Sequence, residues 1–142
     1  MTFTLSVVYF SMHKTHTFRN GLEVPAHQHA NGGGWVADTA TVENSVYVGP
    51  NAEISEYASI WGKVRLLDFA EVEGLATIRG NATISGCAKM QDESAMTGNT
   101  RLWGNAKLTE YVAISGSVTV CGNVILDGTV KLCGKFLVSD LV

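Results

Sequence analysis

The sequence predicts an all-β domain that is wound as a parallel β-helix with the shape of a triangular prism. Three observations predict it: a six-residue repeat of aliphatic residues, a second column of small residues, and glycines at a fixed place in the repeat. The composition agrees, because 15 of the 142 residues are glycine and only 2 are proline. A continuous ladder of parallel strands needs nearly every backbone N–H, and proline has none.

The aliphatic repeat begins at Val36 and continues to the C-terminus without an insertion. Residues two apart in a strand point to the same side, so each lead residue and the residue four places after it are expected to face inward. The second column is mostly Ala or Val, which suits a narrow interior. The lead residues are Val36, Val42, Val48, Ile54, Ile60, Leu66, Val72, Ile78, Ile84, Met90, Met96, Leu102, Leu108, Ile114, Val120, Leu126, Leu132 and Val138.

The glycine column stands two residues after the lead and predicts the corners of the prism. Glycine adopts a positive φ at little cost, as tight turns require. Three strand-and-turn units make one coil of 18 residues, and six coils follow: 36–53, 54–71, 72–89, 90–107, 108–125 and 126–142. The column contains Gly62, Gly74, Gly80, Gly86, Gly98, Gly104, Gly116, Gly122, Gly128 and Gly134.

Residues 1–35 lack this period and are predicted to form a separate N-terminal cap, followed by the repeat domain over 36–142. Phe3, Leu5, Val7 and Tyr9 alternate with other residues, which favours one strand. We expect this segment to form a lid over the first coil. The start of the chain lacks the basic region and cleavage site of a signal peptide.

The array, written [LIV]-x-[GDN]-x-[AV]-x, resembles the hexapeptide-repeat, left-handed parallel β-helix family over residues 36–142. The stretch HANGGGWVADTATV, which begins at His29, more closely resembles bacterial and prophage β-solenoid proteins of the YdcK type. The resemblance implies a left-handed coil and a homotrimer with parallel axes. It says little about function, because one fold carries many functions.

Residues eighteen apart are expected to stack vertically, so the outward side chains fall into three faces. The residues between two successive leads are assigned to one face. The first face is small and polar, with Ala37 and Ser55, and is expected to be exposed to solvent. The second carries Tyr47, Trp61, Arg65, Arg79 and Arg101. The third carries Leu67, Trp103, Cys121 and Ile125 with Glu53 and Glu71.

Outward apolar side chains of this size indicate an interface. A threefold contact would join the second face of one subunit, with its arginines, to the third face of the next. The corner residues Tyr57, Phe69, Leu75 and Tyr111 are interpreted as interface or corner packing rather than as ligand platforms.

Charge and cysteine content exclude several classes of protein. The net charge of −3 gives no DNA-binding signature, and no run of about 18 apolar residues predicts a membrane span. Cys87, Cys121 and Cys133 are not spaced by eighteen, so none stacks on another. Three unpaired thiols suit a reducing compartment, and a cytoplasmic location is predicted.

All four histidines, His13, His16, His27 and His29, precede the repeat. The resemblance implies two enzyme classes, acyltransferases and a carbonic anhydrase, which use histidines on or beside the coils. The missing coil histidines exclude the carbonic anhydrase. For His27-Gln28-His29 three interpretations stay open: a polar turn onto the first coil, a metal-binding pair or a general base. The triple glycine lacks the Lys and Ser or Thr of a phosphate loop.

The sequence thus predicts a non-catalytic, homotrimeric binding protein without metal or cofactor. Its partner would be a macromolecule or a small anionic ligand, gripped by Arg65, Arg79 and Arg101 beside Trp61. The prophage-like opening implies an inhibitor of a host defence system. The alternatives are an acyltransferase that uses acetyl-CoA with His27 or His29 as base, and a purely structural stalk.

Overall fold

A computed structural model describes residues 14–140. The strand predicted from Phe3, Leu5, Val7 and Tyr9, and His13 with it, lie outside the described residues. Residues 14–140 contain strands and turns but no helix, and hence no helix in this range is long and apolar enough to span a membrane. The all-β prediction is confirmed.

Twenty short strands, numbered in chain order, form three sheets. Sheet 1 contains β1 (Thr15–Thr17), β2 (Glu23–Gln28), β3 (Trp35–Ala37), β6 (Glu53–Ile54), β9 (Glu71–Val72), β12 (Lys89–Met90), β15 (Lys107–Leu108) and β18 (Ile125–Leu126). Sheet 2 contains β4 (Thr41–Val42), β7 (Ser59–Ile60), β10 (Thr77–Ile78), β13 (Ala95–Met96), β16 (Ala113–Gly116) and β19 (Lys131–Gly134). Sheet 3 contains β5 (Tyr47–Val48), β8 (Arg65–Leu66), β11 (Thr83–Ile84), β14 (Arg101–Leu102), β17 (Thr119–Cys121) and β20 (Leu137–Ser139).

From β3 onward each strand pairs in parallel with the strand three positions later in the chain. Ile60 pairs with Ile78, and Ile78 pairs with Met96, so partners are eighteen residues apart. Backbone bonds such as Ser59 N–H to the Ala76 carbonyl (3.0 Å) join one coil to the next. The molecule is therefore a parallel β-solenoid of about six turns, as the repeat predicts.

The core is the inside of the prism. Lead residues from Ile54 to Leu108 are buried almost completely, and the alanines of the second column, such as Ala76 and Ala82, are buried beside them. In the last coil the inward residues are only partly buried, Leu132 and Val138 among them. Each Å² of apolar surface that is buried in this core stabilises the stack by about 25 cal/mol.

All ten glycines of the predicted corner column have a positive φ, from Gly86 at 67° to Gly134 at 125°. The sequence therefore identified the corners correctly. Four non-glycine residues occupy the same column with φ between 55° and 59°: Glu56, Asp68, Asp92 and Glu110.

Strands β1 and β2 form a hairpin that covers the first strands of sheet 1. β1 and β2 are antiparallel, and the second half of β2 pairs with β3. Phe18, Ala26 and Ala37 form a second small core with Trp35. The expectation that Ala37 and Ser55 face solvent is thus wrong, because the hairpin buries both of them.

The loop between β2 and β3 lies against the first coil. The Gly34 N–H donates to the Val48 carbonyl (3.0 Å), and the Val48 N–H donates to the Asn31 carbonyl (2.9 Å). A side chain at Gly32 or Gly34 would overlap backbone atoms of Val48 or Gly49, whereas Gly33 has open space around it. Gly32 and Gly34 are therefore required because the backbone of the first coil lies too close to them for a side chain.

Candidate functional site

The residues on both sides of each inward lead belong to the same sheet, and the corner lies one residue further along. Trp61 follows β7 directly, whereas Arg65 lies in β8, beyond the corner glycine Gly62. The predicted grouping by faces is therefore wrong. The structure places Trp61 and Arg79 on sheet 2, and it places Arg65 and Arg101 on sheet 3.

On sheet 3 the side chains before the leads form one vertical column. Tyr47, Arg65, Thr83, Arg101 and Thr119 follow one another in register. We call these five residues the basic column. Its two arginines are two strands apart, about 10 Å, since neighbouring strands are separated by about 4.8 Å.

Arg65 and Arg101 are exposed, and neither has an ion pair or hydrogen-bond partner among residues 14–140. Beside them, on the other side of the leads, stand Leu67, Ser85 and Trp103. Trp103 is 41% exposed and Leu67 is half-buried. No acidic residue flanks a lead on this sheet, so Arg65 and Arg101 are the only charged side chains beside its leads.

On sheet 2 the guanidinium carbon of Arg79 lies 4.8 Å from the centre of the Trp61 ring. This contact is a cation–π interaction, which holds both side chains against the sheet. Of the predicted arginine set, the structure thus brings only Arg79 to Trp61.

The side chains predicted to oppose this set are arranged differently. Glu53 and Glu71 are mostly covered, and they contact His16 and Arg19 of the hairpin. Ile125 is exposed as predicted, but Cys121 is only 2% exposed. Cys121 is a small residue between Trp103 on the preceding coil and Ser139, its partner in β20. The three cysteines are free thiols.

The corner between sheets 1 and 2 carries a second exposed surface. Tyr57, Leu75 and Tyr111 stand in one column and are 64%, 54% and 59% exposed. Beside them lies a shallow cleft of about 410 Å³. Its lining residues are Gly74, Leu75, Asp92, Glu93, Glu110 and Tyr111. We call this surface the acidic corner. Its exposed column can be found in the sequence, because Tyr57, Leu75 and Tyr111 each stand at the third position after a lead.

The three described histidines, His16, His27 and His29, do not form a common site. The exposed His27 has Nδ1 2.7 Å from Oδ1 of Asp38. His29 is buried, and its Nε2–H donates to the Val46 carbonyl at 2.8 Å. Residues 14–140 contain no group of three His, Cys, Asp or Glu side chains that could hold a metal ion. His29 is thus part of the contact between the β2–β3 loop and the first coil.

No protein-family model matches the sequence, and no curated protein matches it either. The fold is therefore established by the repeat and by the register of the strands.

Proposed function

We propose that the protein is a non-catalytic binding protein whose basic column holds an anionic ligand, either a small molecule or a group on a macromolecule. The observation that carries the proposal is the pair of exposed, unpaired arginines, Arg65 and Arg101, in one column of sheet 3. A guanidinium offers a planar fork of donors that fits phosphate and carboxylate oxygens.

The surroundings of the two arginines favour phosphate esters that carry an aromatic group. Thr83 stands between the arginines and offers a hydroxyl donor. Trp103, two residues after Arg101, exposes a ring on which a planar base would stack. A nucleotide combines both features.

Calorimetry with a panel of nucleotides and inorganic pyrophosphate tests this proposal. We expect binding that the double substitution Arg65→Glu and Arg101→Glu abolishes. Lys131→Glu is the matched control, because Lys131 is exposed on sheet 2. Analysis of nucleotides that co-purify with the protein gives a second measurement. If no anion in the panel binds, or if the control loses as much affinity as the double variant, the proposal is wrong.

We propose further that three copies assemble side by side. A closed ring joins two different surfaces of each subunit. The acidic corner, with Asp92, Glu93 and Glu110, is complementary in charge to Arg79, and both surfaces carry aromatic rings. Exposed apolar side chains of this size are typical of interfaces.

Light scattering tests the assembly. We expect a mass about three times the 15.2 kDa of one chain. Tyr111→Lys, which replaces an exposed ring of the acidic corner with a positive charge facing Arg79, should give monomers. Thr129→Lys, one coil further along the same column, should leave the mass unchanged. A wild-type monomer at micromolar concentration contradicts the proposal.

The acyltransferase remains the second candidate because of one observation, the 2.7 Å contact between His27 and Asp38. A carboxylate that orients an imidazole is the usual partner of a histidine base. Acetyl-CoA should then bind and be turned over, and His27→Ala should abolish turnover. If neither the wild type nor the variant binds acetyl-CoA, the acyltransferase function is excluded.

A role as a phage inhibitor of host defence, and kinship with the YdcK type, are supported by the resemblance of residues 29–42. A pull-down from bacterial lysate with the wild type and the Arg65→Glu, Arg101→Glu variant, analysed by mass spectrometry, tests this role. A defence protein captured only by the wild type would support it. Identical captures by both proteins would contradict it.

A further inference from the structure

The tip of the N-terminal hairpin places one arginine in the corner between sheets 3 and 1. The tip is a tight turn in which the Gly21 N–H donates to the Phe18 carbonyl (2.8 Å) and the Phe18 N–H donates to the Leu22 carbonyl (2.8 Å). This turn directs Arg19 toward the strand ends of β6 and β9, where sequence patterns gave no indication of a site.

Each of the three nitrogens of the Arg19 guanidinium faces at least one acceptor. Nη1 donates to the Phe69 carbonyl (3.0 Å), and Nη2 donates to the Asn51 carbonyl. Nε lies 3.5 Å from Oε1 of Glu53, and Nη1 lies 3.5 Å from Oε2 of Glu71. The Phe69 ring centre is 5.6 Å from the guanidinium carbon. Carbonyls, carboxylates and a ring around one planar cation match arginine better than lysine.

The carboxylates of this corner require a cation. Glu53 and Glu71 are direct neighbours in the parallel register, so two negative charges are stacked on one face. Their side chains are only 12% and 23% exposed, which limits the screening of their repulsion by water. His16 also contacts Glu53, with Nε2 2.8 Å from Oε2.

The corner is open beside the guanidinium. A cleft of about 300 Å³ lies there, with Trp35, Pro50 and Phe69 as apolar walls. His16, Arg19, Asn51 and Glu53 complete its lining. The cleft offers room for the aliphatic stem and backbone of an arginine that enters from outside.

We propose that this corner is a binding site for the guanidinium group of an arginine side chain, occupied in cis by Arg19 and open to an arginine-bearing ligand when the hairpin tip lifts. The proposal goes beyond the anion binding on sheet 3, and it uses none of the residues of the basic column. The seated guanidinium of Arg19 identifies the ligand chemistry.

The variant Arg19→Ala with N-acetyl-arginine amide as the probe tests the site. The variant is expected to fold, because none of residues 14–35 belongs to the prism core. Its Tm should rise with the probe and saturate at millimolar concentration, since a ligand that binds only the folded state stabilises it. The wild type should respond more weakly, because Arg19 competes. N-acetyl-lysine amide should have no such effect.

The double variant Arg19→Ala, Glu71→Gln locates the binding. It should lose the response to the arginine probe if the probe occupies this corner. If Arg19→Ala does not unfold cooperatively, Arg19→Lys replaces it in the comparison of the arginine and lysine probes, because it keeps a cation at the hairpin tip. Equal responses to the arginine and lysine probes, no response in either tip variant, or an unchanged response in the double variant would each overturn the proposal.

Discussion

At the scale of single residues, the corners show how side chains other than glycine tolerate a positive φ. Three of the four acidic corner residues accept a hydrogen bond from the backbone of the next coil. Glu56 accepts from the Gly74 N–H (2.7 Å), Asp68 from the Gly86 N–H (3.0 Å) and Asp92 from the Glu110 N–H (3.0 Å). A left-handed conformation costs about 1–2 kcal/mol, and a bond to a carboxylate offsets that cost.

Gly98 combines positive φ with close approach. An added Cβ would lie 2.8 Å from the Gly116 carbonyl oxygen, which is part of the backbone and cannot move freely. We expect Gly98→Ala to lower the free energy of unfolding by about 3 kcal/mol, measured by urea denaturation.

Gly128→Ala is the matched control for Gly98→Ala. Gly128 has a similar φ of 77°, but a Cβ there meets nothing closer than 3.8 Å. Gly128→Ala should therefore lower the free energy of unfolding only by the strain of the left-handed conformation, about 1 kcal/mol. Equal losses of unfolding free energy from both substitutions would show that close backbone contact between coils does not add to the cost at Gly98.

Thr100 is an inward residue whose hydroxyl has no hydrogen-bond partner among residues 14–140. Thr100→Val keeps the shape and removes a buried polar group, so it should raise the free energy of unfolding by about 1 kcal/mol. Ser94→Ala is the comparison, because the Ser94 hydroxyl donates to the Gln91 carbonyl at 2.8 Å. Ser94→Ala should lower stability by about 1 kcal/mol. A loss of stability in Thr100→Val would contradict the interpretation.

At the scale of elements, the sequence predicted the strands of the prism but not the hairpin. The repeat defines each strand locally, since lead residues such as Ile78 and corner glycines such as Gly80 recur every six positions. Residues 14–28 have no repeat, and their position depends on contacts far along the chain, such as Arg19 with Glu71. No local pattern encodes such a contact.

The residues of the basic column could also be predicted from the sequence, but their neighbours could not. Every lead and every corner glycine was identified correctly, yet the residues between two leads were grouped on one face, so each predicted face was drawn across a corner. Trp61 and Arg65 were therefore assigned to one face, although Gly62 separates them. The second position after the lead, where φ becomes positive, is the position that divides the sheets.

A charged contact on sheet 1, which the hairpin touches through Asn20, predicts a pH dependence of stability. Nζ of Lys89 lies 2.6 Å from Oε1 of Glu73, whose other oxygen accepts from Asn20 (2.8 Å). Burial by itself lowers the pKa of Lys89, but the hydrogen bond to Glu73 and the charges of Glu73, Glu71 and Glu56 outweigh it and raise the pKa. The stability from this pair is thus fully present below pH 10.5 and is lost as the pH rises through the higher pKa of the folded state.

Unfolding of wild type and Lys89→Met at several pH values measures this contribution. The wild type should be more stable at neutral pH, and the difference should shrink above pH 10.5. Lys107→Met, the next residue in register, is the control and should show a constant difference. A difference between wild type and Lys89→Met that persists at high pH would contradict the assignment.

At the scale of the whole molecule, each coil contacts only its neighbours, so stability is expected to vary along the prism. The amides of Thr77 and Thr83 bond to fully buried coils, whereas those of Ala113 and Thr119 bond to the partly buried last coil. Hydrogen exchange at Thr77 and Thr83 should be slower by roughly 100-fold. Uniform exchange along the chain would show instead that the prism opens as one unit.

The two periods of the chain also have an evolutionary consequence. Six residues define one side of the prism, but eighteen define which side chains stand above one another, as Glu53 and Glu71 do. Duplication of a whole coil would lengthen the molecule and keep every surface aligned. Loss or gain of a single hexapeptide would preserve the interior and rotate everything after it by a third of a turn. Such an event between Arg65 and Arg101 would separate the two arginines onto different sheets without unfolding the chain.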